Sequence, residues 1–317
     1  MFDIISIGAA TTDIFIKSAE LLENKRFLSL KRSSKNEISQ SLICSGGGAT
    51  NSATTFSRLG LKTSLISLIG DDPLSEYIQT DLINEKINRQ FLVVNPKDRS
   101  DFSLILVSSN GTRSILTSRG STRLESKNIP WNRLKTKWLY LTSLEGNLPL
   151  LEELIGFSKE NNIKISFNPG LRELKQRRQL IPLLKHLDFL LLNRLEAEIL
   201  TDTSHKNSSF YDKLKLFAPL IAVTNGRLGA KILTPSETLF SPIINTHPVD
   251  ETGAGDAFGS AFVAGLVQNC SLEQCLSWGI HNSASVVSAL GAKAGILTLS
   301  KIVDCQPKAD PPLAERL

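Results

Sequence analysis

Short aliphatic runs alternate along almost the whole chain with stretches in which apolar residues recur every three or four positions, and this rhythm restricts the fold more than any other feature. Residues 4–7, 63–69, 138–142, 164–167, 189–192 and 220–224 read as strands. They are nearly continuous in apolar residues, as in strands covered on both faces. Between them, 49–59, 74–85, 148–161 and 195–200 have helical periodicity, and two long stretches rich in small residues, 257–269 and 272–290, follow. A strand, helix, strand repeat needs a crossover at each step, so the expected class is α/β, a three-layer α/β/α fold with a mainly parallel central sheet. A chain of 317 residues suits one such domain, expected over 1–305, with 306–317 a loose Pro-containing tail.

Two regions break the rhythm. Residues 13–45 carry a polar, Lys- and Ser-rich middle followed by an alternating run at 37–43. Residues 102–107 and 113–117 flank Asn110-Gly111, a pair suited to a tight hairpin because both residues tolerate positive φ. These strands lie outside the α/β alternation, and a small separate β-sheet is expected from about 13–45 and 95–120.

Composition excludes several partners. The net charge of +5, from 36 basic and 31 acidic residues, is spread along the chain. The densest basic stretch, 172–178, also holds Glu173 and Leu174 and reads as a solvated helix face. With few aromatics and no binding motif, nucleic acid is not an expected partner. Cys44, Cys270, Cys275 and Cys305 form no CxxC pair and no zinc spacing, consistent with reduced thiols in a cytoplasmic protein. The first eight residues read as a buried strand rather than a signal peptide, and no apolar run approaches a membrane span.

The chemistry concentrates in two glycine-rich entries into helices. In Asp250-Glu251-Thr252-Gly253-Ala254-Gly255-Asp256, the small residues allow a tight turn that presents backbone N–H groups at a helix start, a place that attracts anions. Asp256 then lies in the first turn, where a carboxylate takes a hydroxyl proton beside a phosphate or serves merely as a capping acid. Neither the P-loop pattern nor GxGxxG is matched, and Gly8-Ala9-Ala10 after the first strand does not supply a dinucleotide turn. The second entry is Gly46-Gly47-Gly48-Ala49-Thr50-Asn51, where glycines let a ligand approach the backbone and Asn51 offers a donor and an acceptor.

These paired motifs, in this order, resemble the N- and C-terminal signatures of the PfkB family of carbohydrate and nucleoside kinases, the ribokinase-like proteins. The resemblance covers nearly the whole chain. It implies an ATP-dependent phosphotransferase with Asp256 as general base and Gly253, Ala254 and Gly255 as anion hole. It also implies substrate contacts from Asp13, Gly46, Gly47, Gly48 and Asn51, and a small sheet that acts as a lid. Asn193 and Glu196 look like the family's Asn-x-x-Glu motif, which orders Mg²⁺ largely through water. Thr224, Gly226 and Gly229 resemble its nucleotide-side loop, and Asn282 falls near its adenine side. Asp250 and Thr252 raise the question of K⁺, which Glu251 leaves open. Many such relatives dimerise through the lid, whose exposed edge invites pairing.

The substrate is less defined. Arg119, after the second hairpin strand, suits a carboxylate or phosphate group, or is a solvated lid residue. Phe15 and Phe102 are the lid aromatics available to stack on a base. A pentose or hexose, ribose first, is the expected acceptor. The alternatives are an acidic or phosphorylated sugar (2-keto-3-deoxygluconate or fructose 6-phosphate) and a nucleoside such as adenosine. A binding protein that keeps the fold without turnover would be expected to lack Asp256 or the small residues before it.

Overall fold

A computed structural model describes residues 1–24, 26–109, 112–120 and 123–305. Nine strands form the main sheet: β1 (Phe2–Ile7), β6 (Thr63–Gly70), β7 (Leu92–Asn95), β10 (Thr136–Leu141), β11 (Lys164–Phe167), β12 (Phe189–Asn193), β13 (Ile221–Thr224), β14 (Ala230–Leu233) and β15 (Thr238–Ser241). Their order is β15-β14-β13-β12-β11-β10-β1-β6-β7. The pairings from β7 across to β13 are parallel, and the hairpin β14–β15 extends the β13 edge in antiparallel fashion. A second sheet, ordered β5-β2-β8-β9, comprises β2 (Thr11–Lys17), β5 (Gln40–Gly46), β8 (Asp101–Val107) and β9 (Arg113–Ser118). A two-stranded ribbon, β3 (Leu22–Glu23) with β4 (Leu28–Ser29), sits between β2 and β5 in sequence. The hairpin tip at Asn110-Gly111 and the tail 306–317 lie outside the described residues.

Alternation along each central strand divides its side chains between two cores, because successive side chains point to opposite faces. Ile5 and Ile7, Leu139 and Leu141, and Leu190 and Leu192 join one buried cluster with helices α3 (Leu148–Glu160), α5 (Arg177–Leu184), α6 (Arg194–Thr201) and α7 (Phe210–Lys215). Ile4, Trp138 and Tyr140, and Phe189 and Leu191 join the other, with α1 (Gly48–Arg58), α8 (Ala254–Val267) and α9 (Leu272–Val287). Both faces are therefore covered, which is why the strands carry no polar alternation. In the second core Phe189 stacks on Phe262 at 4.8 Å between centroids, and Phe56 meets Tyr140 edge-on at 5.3 Å. Pairs of this kind add about 0.5–1.5 kcal/mol beyond their buried area. Helix α2 (Pro73–Asn84) begins at Asp72, whose carboxylate accepts from the Ser75 N–H, and buries Ile78 and Leu82 under β6. The short helices α4 (Leu171–Leu174) and α10 (Leu299–Ile302) complete the helical layers. Among the described residues no helix is long and apolar enough to cross a membrane.

The basic stretch 172–178 is only partly the solvated face expected of it. Glu173 and Leu174 are buried, and the Glu173 carboxylate accepts from the N–H groups of Leu144, Gly146 and Gly170 and from the Ser143 hydroxyl. Local composition suggests solvent, but the donors at 143–146 arrive from elsewhere in the chain and reward burial of the carboxylate.

Candidate active site

The two glycine-rich turns meet. Asn51, in the first turns of α1, donates from Nδ2 to Asp256 Oδ2 at 2.8 Å across 205 residues of sequence. Asn51 is 4 % exposed and its Oδ1 is buried without a partner. An unpaired buried acceptor of this kind costs free energy unless something donates to it.

Each turn needs its glycines for a definite reason. At Gly46 an added Cβ would lie 1.9 Å from Asp13 Oδ2, so the missing side chain leaves room for that carboxylate against the backbone. Gly47 has φ +89°, and an added Cβ there would lie 2.5 Å from the Ala9 carbonyl oxygen. Asp13, on β2, accepts from the Thr11 hydroxyl at 3.0 Å, and burial pushes its carboxyl up from the ordinary range. Asp13, the 46–48 turn and Asn51 thus form one continuous polar wall.

Helix α8 starts at Ala254 behind Gly253, which has φ +77° and caps it with no side chain. An uncapped helix start leaves first-turn N–H groups without intrahelical acceptors. The expected three-residue anion hole is modified in one respect, because the Ala254 N–H turns back onto the Glu251 carbonyl at 3.3 Å. At Gly255 an added Cβ would meet nothing within 4 Å, so this side of the turn faces open space. Asp256 is half-buried beside it, and its carboxyl is pushed up by burial, opposed by the Asn51 hydrogen bond.

Asn193 and Thr224 are paired neighbours at the ends of β12 and β13. Asn193 caps α6 reciprocally with Glu196: Asn193 Oδ1 accepts from the Glu196 N–H at 2.9 Å, and a Glu196 carboxylate oxygen accepts from the Asn193 N–H at 2.8 Å. Burial raises the Glu196 carboxyl to about 7, with a further push from the Asp256 charge. Gly226 and Gly229 shape the following turn with φ +51° and +95°, and an added Cβ at Gly229 would lie 2.1 Å from the Ser241 carbonyl oxygen. Among the described residues no cluster of three or more His, Cys, Asp or Glu forms a metal cage. One carboxylate, Glu196, electrostatically coupled to Asp256, fits a Mg²⁺ that keeps most of its waters.

Three further expected groups have definite surroundings. The Asp250 carboxylate accepts from Arg113 at 2.9 Å, from the Thr252 N–H and hydroxyl, and from the Gly291 N–H. A guanidinium from β9 supplies the positive charge there. Asn282 turns its amide onto backbone groups. It is fully buried, donating to the Ala257 carbonyl and accepting from the Leu297 N–H. Phe15 is buried with Ile105 and Val107 under the second sheet and has no face to offer a base.

Arg119 lies on a cavity it shares with Gly8, Asp101, Ser143, Glu145 and Arg172. Its guanidinium is held between Asp101 at 3.0 Å and Glu145 at 3.2 Å, and Glu145 also binds Arg172 at 2.9 Å. Glu145 escaped the sequence reading. Its φ of +57°, uncommon for a non-glycine residue, is the structural sign that the chain is bent to aim it. No local pattern around Leu144-Glu145-Gly146 announces it.

The family model for pfkB family carbohydrate kinases matches residues 1–299. A nucleoside kinase of Methanocaldococcus jannaschii is 28 % identical over 264 residues, covering 82 % of this chain and 84 % of that protein. A deoxyribokinase of Salmonella typhi is 28 % identical over 261 residues, covering 79 % and 83 %. Among solved structures, Arabidopsis thaliana ribokinase complexed with ribose and ATP superposes with a TM-score of 0.78 at 18 % identity, covering 98 % of this chain and 99 % of that one.

Proposed function

This chain belongs to the pfkB family of carbohydrate kinases, a phosphotransferase with an alcohol acceptor, and on that premise we propose that it transfers the γ-phosphoryl group of ATP to a hydroxyl of a neutral sugar, ribose first. The observation that carries this reading is the Asn51–Asp256 hydrogen bond, with Asn51 Oδ1 left unpaired beside it. A sugar hydroxyl donating to that oxygen is held next to the base that will take a proton. In the reaction the acceptor oxygen bonds to the γ-phosphorus, the bond to the bridging oxygen breaks, ADP leaves, and the proton passes to Asp256. The N–H groups of the 253–255 turn steady charge on the transferred group. Mg²⁺, when bound, neutralises phosphate charge, and Asn193 and Glu196 are the residues suited to orient its waters. Thr224, Gly226 and Gly229 border the nucleotide on the same edge.

A neutral acceptor is favoured because Arg119 already has two carboxylate partners. Those carboxylates and Asp13 suit hydroxyl groups better than a second anion. The test is ATP-dependent phosphorylation of ribose, fructose, 2-keto-3-deoxygluconate, fructose 6-phosphate, adenosine and cytidine. Preference for a neutral sugar upholds the reading, and preference for an acidic or phosphorylated one restores Arg119 as a specificity residue.

The sheet β5-β2-β8-β9 acts as a lid over this site and as a dimer surface. Ile14, Ile43, Leu104 and Leu116 share a register row across its four strands, with Ile43 and Leu116 41 % and 58 % exposed. Such a row of apolar side chains is suited to a second copy of the same sheet.

A further inference from the structure

Lys293 is the buried cation that this scheme leaves unused. It is 8 % exposed, on the segment that follows α9. Its ammonium pairs with Asp81 of α2 at 2.7 Å and donates to the Ser45 hydroxyl, which in turn donates to Asp81. Ser45 opens the substrate-side glycine turn. The neighbouring Ala292 lies under the other turn, since a Cβ at Gly253 would sit 2.5 Å from Ala292 Cβ. The segment is itself fixed on three sides. Arg58, paired with Glu85, donates to the Lys293 and Ile296 carbonyls, Asp250 accepts from the Gly291 N–H, and Asn282 accepts from the Leu297 N–H. One short stretch of backbone therefore touches both glycine turns, and Lys293 is its charged end.

We infer that Lys293 is a positioning residue: held on Ser45 and Asp81, it sets the spacing between the 45–48 and 252–255 turns, and its positive charge acts on Asp13 and Asp256 from that position. This rests on the proposed phosphotransfer at Asp256. Asp256 is hydrogen-bonded to Asn51 of α1, and Asp13 of β2, Tyr140 of β10, Glu196 of α6 and Lys293 lie within its electrostatic reach. Lys293 is the one cation among them, opposing the push of burial and of Asp13 on the Asp256 carboxyl. Without it, two carboxylates would share a poorly solvated wall, and like charges there favour protonation.

The experiment compares wild type with Lys293→Met, Lys293→Arg, Lys293→Ala and the double variant Lys293→Met/Asp81→Asn, which removes both members of the ion pair. Each is checked for an intact thermal transition. Expected for Lys293→Met is a loss of about 10–100-fold in kcat with the KM for ATP nearly unchanged, the usual scale for a site displaced by about an ångström. The acidic limb of kcat/KM should also move to higher pH, because removing a positive charge raises the pKa of the carboxylate that must be ionised. Lys293→Arg should recover part of the rate, and methylammonium should partly rescue Lys293→Ala where tetramethylammonium does not. The double variant should lose the rate as Lys293→Met does while regaining thermal stability. Folded Lys293→Met with wild-type kcat and pH profile overturns the inference. So does a loss that moves no acidic limb and responds to no amine, which would make Lys293 a packing residue only. If Asp256→Asn keeps full activity, the proposed chemistry fails. If Asp256→Asn is inactive while Lys293→Met is normal, only the role of Lys293 fails.

Discussion

Replacing Asp256 by Asn should cost activity and add stability at once, and this pairing makes it the sharpest test of the site. The amide keeps the size of the carboxyl and can still accept from Asn51, now 2.8 Å from Asp256 Oδ2. What disappears is the capacity to take a proton. Loss of a general base lowers kcat by about 10²–10⁴, or about 2.7–5.4 kcal/mol of barrier. The stability term has the opposite sign. Burial pushes the Asp256 carboxyl up in the folded protein. A group with a raised folded pKa contributes stability below its unfolded pKa and loses it as pH rises through the folded value. At neutral pH the native protein therefore carries a partly desolvated carboxylate that Asn does not impose. Relief of such functional strain is worth about 0.5–2 kcal/mol. In a domain of this size that corresponds to about 1–5 °C in Tm. The assays are coupled ADP release with ribose and thermal unfolding without nucleotide at pH 7.5 and pH 4. The variant should melt higher at pH 7.5, and its advantage should shrink toward pH 4 as the raised native carboxyl takes up its proton. Turnover within about tenfold of wild type would refute the general-base role. A variant less stable than wild type at pH 7.5 would refute the electrostatic reasoning.

Other predictions concern neighbouring groups. Arg113→Met should lower stability by about 1–2 kcal/mol, below the range for a fully buried pair because Arg113 is 28 % exposed and Asp250 keeps three other donors. Because the guanidinium fills that position, wild-type rates should be equal in potassium and sodium buffers, and stimulation by potassium should emerge only in Arg113→Met. Glu196 has a carboxyl raised to about 7, so its favourable contribution is complete below the unfolded pKa and fades as pH rises through 7. Nucleotide-free Glu196→Gln should therefore gain Tm relative to wild type between pH 6 and pH 8, and a pH-independent difference would contradict this. Ile43→Asp and Leu116→Asp put charges on the apolar lid row, and light scattering should show a dimeric wild type and monomeric variants. A monomeric wild type would remove the dimer proposal.

The sequence by itself determined the layered α/β/α class, because strands buried on both faces must be apolar throughout and helices on their flanks must be amphipathic. All six strands expected of the core are present, as β1, β6, β10, β11, β12 and β13, within a residue or two at their ends. The second sheet was also legible, since the alternating run at 37–43 and the hairpin pattern around Asn110-Gly111 break the strand–helix rhythm, and its strands lie at 11–17, 40–46, 101–107 and 113–118. The glycine turns and Asp256 stood out because steric needs at a helix start are local and leave their mark in consecutive residues. Only the tertiary structure decided which groups meet. Asn51 reaches Asp256 over 205 residues, and Lys293 reaches Ser45 over 248. Arg113 fills the position beside Asp250 that was open to a cation, Asn282 turns its amide onto backbone, and Glu173 ends in the core rather than in solvent. Each of these outcomes depends on a charge or a hydrogen-bond partner brought from a distant segment. Electrostatics and hydrogen bonding act through space over a few ångströms, whereas sequence patterns report burial and backbone geometry only over neighbouring residues.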